Sequence, residues 1–396
     1  MLFLGDSRVS TMGVEANVRD VMPIVADLRC KRCIMDSSDP ELSLDEEGVC
    51  QHCRHYFERS RIELQHGAQA LQRMLEKIKH AGRGRAYDCV VGVSGGIDST
   101  YVAWKAKMLG LRPLAVHFDN GWNSELAVSN IEATLKTLGI DLFTYVVDWP
   151  EFKDLQLSFF KASVPNIEAV TDHAITACLM QTAADHGIKT VILGANLESE
   201  GIMPRSWLYD NKDFLQIRKI HQRFGKVRIA TYPILSWWKL FRYFFLKQIK
   251  FVRLLNFEHY NKAEAAKLLE KEIGWRPYEG KHFESIFTRF FQGYILPVKF
   301  GMDKRIAHFS TLICSGQMTR ETALKEMENP PYDQKLVAED RAYVIKKFDI
   351  SEKYFDEMMA LPCKSHFDYP SLRWILERDL FGLKRLARRL ALGDEE

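Results

Sequence analysis

Between Tyr87 and about residue 235, short β-branched runs alternate with helical stretches, and this alternation limits the chain to few architectures. The runs are "DCVVGV", "RPLAVHFD", "LFTYVVD", "TVILGA" and "VRIATYP". Segments such as "STYVAWKAKMLG" and "SELAVSNIEATLKTLG" lie between them, and each closes on a glycine. Strands alternating with helices predict an α/β fold: a parallel sheet covered on both faces, with ligands beyond the carboxyl ends of its strands.

The first run ends in "SGGIDS", Ser94 to Ser99, and a helix pattern follows at once. Gly95 and Gly96 allow a tight turn whose amides point inward, and a helix N-terminus adds partial positive charge, so the stretch suits phosphate. It matches neither G-x-x-x-x-G-K-[ST] nor G-x-G-x-x-G, and it contains no lysine. Read blandly, Ser-Gly-Gly-x-Asp is a turn and helix cap, but its position between strand and helix favours the phosphate reading.

Four of the eight cysteines form two tight pairs, Cys30-x-x-Cys33 and Cys50-x-x-Cys53, the spacing of a four-cysteine zinc module. Sulfur fills all four positions and leaves none for water, so the predicted site is structural. The other four, Cys89, Cys178, Cys314 and Cys363, are scattered singly. This usage and the lack of a signal-like N-terminus predict a cytoplasmic protein. With 55 basic and 52 acidic residues the net charge is +3, so no global field calls for nucleic acid.

The expected organisation is an N-terminal extension over 1–27, the zinc module over 28–58 and a linker helix over 59–85 ended by Gly82 and Gly84. The α/β domain covers 86–235 and a mostly helical substrate or partner region 236–396. "SWWKLFRYFFLKQIKFVRLL", Ser236 to Leu255, holds five cations and no acid, which excludes a spanning helix. It reads as an anionic-membrane surface segment or, favoured because aromatic stripes are usually core, a basic helix packed on its own protein.

Further candidates lie near strand ends. "HFDNGW" offers His117, Asp119 and Asn120 to a nucleoside, although Asp-Asn-Gly is also an ordinary turn. "GANLESEG" offers Gly194, Asn196, Glu198 and Glu200 to Mg²⁺ or substrate, or forms a solvated loop. Beyond it, Lys281, His282, Glu284, Arg289, Lys299, Asp303, Lys304, Arg305 and His308 make a polar cluster between apolar positions.

The loop Ser94-Gly95-Gly96-Ile97-Asp98-Ser99 resembles the SGGxDS loop of the PP-loop ATP pyrophosphatases. Together with the four-cysteine start, "LDEEGVC", "GANLESEG" and the words from His259 to Leu324, the chain from Cys30 to about Tyr332 resembles the N-acetyl sugar amidotransferases of bacterial surface-polysaccharide and flagellar-glycan biosynthesis. The resemblance implies a Rossmann-like PP-loop domain that adenylates an acetamido oxygen of a nucleotide-activated N-acetyl sugar and substitutes ammonia, giving an acetamidino group, AMP and pyrophosphate. It implies ATP held by Ser94, Gly95, Gly96, Ile97, Asp98, Ser99 and Thr100 with His117, Asp119, Asn120 and Gly194. Asp98 would bind Mg²⁺, and Ser94, Asp98, Ser99, Lys281, His282 and Glu284 would act in catalysis. Sugar contacts would fall to Asn196, Glu198, Glu200, Arg289, Lys299, Lys304, Arg305 and His308. No cysteine near the start suits a glutaminase nucleophile, so a separate glutaminase and ammonia-channel pair of the histidine-pathway type is expected. The competing readings are a PP-loop tRNA thiolation enzyme, which would need reactive cysteines beside the loop, and a nucleotide-binding scaffold without turnover.

Overall fold

A computed structural model describes residues 28–280 and 282–372. The expected extension over 1–27, Lys281 and the residues beyond 372 lie outside the described residues.

The chain runs through α1 (Gln51–Glu63), α2 (Ala68–Ala81), β1 (Cys89–Gly92), α3 (Ile97–Met108), β2 (Pro113–Asp119), α4 (Glu125–Leu138), β3 (Leu142–Val146), α5 (Trp149–Ala162), α6 (Ala169–Asp185), β4 (Thr190–Leu193), α7 (Leu197–Glu200), α8 (Phe214–Phe224), α9 (Trp237–Phe241) and β5 (Lys250–Arg253). Helices then follow without further strands among the described residues: α10 (Lys262–Ile273), α11 (Ile286–Phe290), α12 (Leu296–Phe300), α13 (Lys304–Cys314), α14 (Arg320–Met327), α15 (Gln334–Phe348) and α16 (Glu352–Ala360).

The five strands are all parallel, in the order β3-β2-β1-β4-β5. The chain therefore builds outward through β1, β2 and β3, then crosses back to lay β4 against the other side of β1. That reversal opens a crevice at the carboxyl ends of β1 and β4, the place where open α/β sheets bind ligands. One face of the sheet packs on α2, α3, α4 and α10 through Val91, Val102, Leu135 and Leu269. The other packs on α6 and the residues after α9 through Val90, Met180 and Tyr243.

The first four strands form where the β-branched runs predict them. The fifth does not: "VRIATYP" carries no strand, and β5 lies at "KFVR", beyond the expected boundary at 235. The reason is a competition for backbone donors. Two carboxylates one turn apart on α5 take the amides of the 226–232 segment. Asp154 Oδ2 accepts from Lys226 and Val227 at 2.7 and 2.9 Å, and Glu151 accepts from Ala230, Thr231 and Tyr232 at 2.9–3.0 Å. Five donors satisfied by side chains have no need of a ladder.

The linker helix is also two helices. Gly67, at φ +137°, separates α1 from α2, and the break is held by Gln65 N–H to Asn256 O at 2.9 Å. Gly82 caps α2 as expected. In the 236–255 segment Leu240, Tyr243 and Ile249 are buried, as the packed reading requires, yet Trp238 is 67% exposed and Phe241, Phe245 and Leu246 also face out.

Candidate active site

The crevice is a cavity of about 520 Å³ walled by the strand ends: Val93 and Ser94 after β1, His117 and Asn120 at the end of β2, and Leu193 and Gly194 at the end of β4. Its far wall comes from elsewhere in the chain. α6 supplies Glu168, just ahead of it, and Asp172; the approach to α11 supplies His282 and Glu284; α13 supplies Lys304 and His308 one turn apart.

The loop geometry accounts for its glycines. Gly95 sits at φ +79°, and a Cβ there would stand 2.6 Å from Ala127 O. Gly194 allows the end of β4 to approach the loop, since its Cβ would lie 3.0 Å from the Ser99 amide nitrogen. The Gly95 carbonyl accepts from Trp275 Nε1 at 2.9 Å and from Tyr278 Oη at 3.0 Å, and Ser94 Oγ lies 3.1 Å from Ser99 Oγ. Ile97 packs against the sheet core and Thr100 is buried in the first turn of α3; of the loop only Ser94 and Ser99 line the cavity, and Gly95, Gly96, Ile97, Asp98 and Thr100 do not.

The lysine absent from the loop arrives from α10. Lys262 Nζ pairs with Asp98 Oδ2 at 2.8 Å while Tyr260 Oη donates to Asp98 Oδ1 at 2.6 Å. Burial pulls the Lys262 ammonium down, but Asp98, Glu200 and Glu284 more than reverse this and raise its pKa. The carboxylate assigned to Mg²⁺ thus has a protein cation on one oxygen and a donor on the other. Each oxygen keeps a lone pair, so a hard cation fits at Asp98 as one contact of several.

At the end of β2, His117 Nδ1 lies 2.9 Å from Val93 O and its Nε2 lies 3.1 Å from Asn123 Nδ2. The amide can only donate, so Nε2 is the acceptor and Nδ1 carries the proton. Asp119 makes the turn itself, accepting from Gly121 N–H at 2.8 Å and from Asn123 at 3.0 Å, and does not line the cavity. Asn120 lines it, although its Oδ1 accepts from Trp122 N–H.

Glu284 lies over the loop, 3.5 Å from where a Gly96 side chain would begin. Main-chain bonds place it there: Ser124 N–H to Glu284 O and Ile286 N–H to Trp122 O, both 2.9 Å. Burial would raise its pKa, but His282, with Nδ1 3.5 Å from Oε1, and the charge of Lys262 hold it below the ordinary value. His282 adopts φ +64°, a conformation that costs a non-glycine residue about 1–3 kcal/mol and that gathers at functional sites.

A second group is acidic. Burial first, then Glu168 and Glu200, push Asp172 up to about 7, against the pull of Lys304. Burial lowers Lys304 in turn, opposed by Glu168, Asp172 and Glu200. One lysine against three carboxylates leaves Asp172 able to exchange a proton near neutral pH.

Several expected substrate contacts are elsewhere. Arg289 binds Asp340 bidentately at 2.7 and 2.8 Å, away from the cavity. Lys299 Nζ caps the end of α16, donating to the carbonyls of Met358, Met359 and Leu361 at 2.7–3.0 Å. Arg305 pairs with Asp303 at 2.7 Å and donates to Asn329 O. Asn196 caps α7 by accepting from Ser199 N–H at 2.9 Å, and Glu198 turns to Tyr260 N–H at 2.6 Å. These positions complete the fold, whereas Ser94, Ser99, His117, Asn120, Gly194, Glu200, His282, Glu284, Lys304 and His308 converge on one cavity. Sequence reasoning missed Lys262, Tyr260, Glu168 and Asp172. The one available signal was Glu168 and Asp172 four apart, the spacing of one helix face.

The cysteines form a separate centre. All four side chains are buried, with Sγ separations of 3.6 Å (Cys33–Cys50), 3.7 Å (Cys50–Cys53) and 4.0 Å (Cys30–Cys53). Four sulfurs at about 2.3 Å from a tetrahedral zinc stand about 3.8 Å apart, so the set fits the ion. Amides of Arg32, Cys33 and Cys50 lie 3.3–3.4 Å from Cys30 Sγ, as donors to a thiolate would. Cys314, one of the four scattered cysteines, is half-buried with Sγ 3.6 Å from that of Cys53. The module packs on the rear of α13: Ile34 N–H lies 3.3 Å from Ser310 Oγ, and Arg320 donates to the carbonyls of Cys33 and Cys30.

A search of curated proteins finds no match. Among solved structures, the NH3-dependent NAD synthetase of Campylobacter jejuni subsp. jejuni aligns with 74% of this chain and 96% of its own at 15% identity and a TM-score of 0.30. A 4-thiouridine synthetase in an RNA complex with bound ATP aligns over 66% and 53% at 18% identity and 0.30. The NMN synthetase of Francisella tularensis aligns over 53% and 87% at 16% and 0.28. Residues 284–380 match the family model described as LPS biosynthesis protein WbpG-like, C-terminal domain, so the segment that carries Glu284, Lys304 and His308 to the cavity is similar to that domain.

Proposed function

We propose that the protein is an ATP-dependent amidotransferase that turns an acetamido group of a nucleotide-activated N-acetyl sugar into an acetamidino group, in the biosynthesis of surface polysaccharide such as LPS O-antigen or of a flagellar glycan. One observation carries this reading: a glycine-rich loop at the sheet's switch point and a segment similar to a WbpG-like LPS biosynthesis domain share the walls of one cavity.

An amide oxygen is a poor leaving group. In the proposed reaction it attacks the α-phosphorus of ATP, and the bond to pyrophosphate breaks. Ammonia then adds to the imidate carbon, AMP departs with the former amide oxygen, and loss of a proton leaves the amidine. The loop amides and Lys262 would hold the pyrophosphate, with His117 and Asn120 toward the nucleoside. Mg²⁺ at Asp98 would supply charge neutralisation when bound. Lys304, His308 and Asp172 line the same cavity; the first two would contact the sugar, and Asp172 would move the protons exchanged with ammonia.

Ammonia would come from a glutaminase through a channel subunit. Among the described residues Cys178 is the cysteine on the cavity wall, and burial pushes its thiol up to about 12, far from a nucleophilic thiolate. The same fact weighs against the tRNA thiolation reading. No helix of the described residues is long and apolar enough to cross a membrane.

The test is turnover with ATP, Mg²⁺ and ammonium chloride, offering UDP-linked diacetamido sugars and, separately, bulk tRNA with a sulfur donor. Sugar-dependent AMP and pyrophosphate, with NH replacing oxygen in the product, are expected. Turnover with tRNA alone would overturn the assignment.

A further inference from the structure

A second group of ligating side chains stands outside both centres. His66 lies in the break between α1 and α2, Glu198 on α7, and His259 just ahead of α10. One ligand atom from each lies within 4.8 Å of the other two. We propose that His66, Glu198 and His259 form a second zinc site, open to solvent, that ties the zinc-module linker to the residues positioning Asp98. The proposal is independent of the reaction assigned above.

Two edges of the triangle meet at Glu198 Oε1, and the two imidazole rings touch, with centroids 3.9 Å apart. His259 Nδ1 is 3.3 Å from Glu198 Oε1, and His66 Nε2 is 3.9 Å from the same oxygen. Nitrogen and oxygen ligands at about 2.0–2.1 Å from a tetrahedral ion stand about 3.4 Å apart, so one edge already has that length and the other needs to shorten by about half an ångström. His66 Nε2 is buried without a hydrogen-bond partner, a cost that a metal bond would remove. Glu198 is oriented as a ligating carboxylate usually is: Oε2 accepts from Tyr260 N–H at 2.6 Å, which aims Oε1 at the two imidazoles.

The His259 side chain is 85% exposed, so an ion has a path in, and three protein ligands leave a position for water. Tyr260 links this cluster to the loop, since its amide holds Glu198 and its hydroxyl holds Asp98. A metal here would fix the tyrosine that fixes Asp98.

The experiment is metal analysis and Co²⁺ titration of the full chain, wild type against His259→Ala and the double variant His66→Ala/His259→Ala. His259→Ala changes an exposed side chain and should leave the fold intact, as circular dichroism would verify. The wild type should retain two zinc ions per chain after equilibration with micromolar Zn²⁺ and desalting, and the double variant one. His259→Ala should bind the second equivalent at least about tenfold more weakly. With Co²⁺, the thiolate charge-transfer band should appear in all three proteins, and a weaker band typical of nitrogen and oxygen ligands in the wild type, only at higher Co²⁺ in His259→Ala, and not in the double variant. One metal per chain in the wild type, or a second equivalent held equally by the double variant, would overturn the site.

Discussion

Helix α13 has two faces that solve opposite problems. Its rear, through Ile306, Ala307, Ser310 and Cys314, packs on the four-cysteine module, where every sulfur is buried among the other three. Its front presents Lys304 and His308 to a cavity in which one lysine faces Glu168, Asp172 and Glu200. The first region is closed and complete; the second is charged and uneven. The module therefore packs on the rear of the helix whose front carries Lys304 and His308, so losing it should loosen that helix.

The most severe way to break the comparison is Cys53→Ser. Removing one thiolate from a closed set should release the ion and cost about 4 kcal/mol or more, seen as a large fall in Tm and lost zinc by metal analysis. Retained zinc with an unchanged Tm would mean that the module does not support α13. Next comes Asp98→Asn, which leaves the packing of both faces intact but weakens the pairing with Lys262. AMP formation should drop about a hundredfold or more while thermal unfolding stays close to wild type.

Asp172→Asn sharpens the comparison through pH. The folded pKa of about 7 lies above the ordinary value of 3.8, so the folded state binds the extra proton in that window and stability falls as pH rises through it. The variant should lose that slope in denaturant titrations between about pH 4 and 7, together with the corresponding limb of the rate profile. Lys304→Gln should move the same limb upward, because Lys304 lowers Asp172. The smallest effect belongs to Lys299→Ala, which removes a cap on α16: about 1 kcal/mol of stability, with KM for the sugar unchanged. A raised KM would return Lys299 to the substrate site.

The two regions also differ in how far the sequence displays them. The four-cysteine set is written as two local pairs, and "SGGIDS" is one local word, so both can be read directly. Lys262 supplies the loop's missing cation from a helix far along the chain, and no spacing rule connects it with Asp98. β5 was hidden because an edge strand tolerates the Lys and Arg of "KFVR", while "VRIATYP" looked like a strand whose amides, in the fold, belong to Glu151 and Asp154. Arg289, Lys299 and Arg305 share their composition with substrate-binding residues, and only their partners show that they hold helices together. Sequence reveals chemistry that is local; a site gathered from distant segments appears only when the fold brings them together.

The central claim is that the amide oxygen leaves on AMP, and the most direct measurement follows that atom. A UDP-linked diacetamido sugar carrying ¹⁸O in its acetamido carbonyl would be turned over with ATP, Mg²⁺ and ammonium chloride, and the products read by mass spectrometry. The account predicts the label in the phosphate of AMP and its loss from the sugar. Label in inorganic phosphate alongside ADP, or AMP formed with the label still on the sugar, would contradict it.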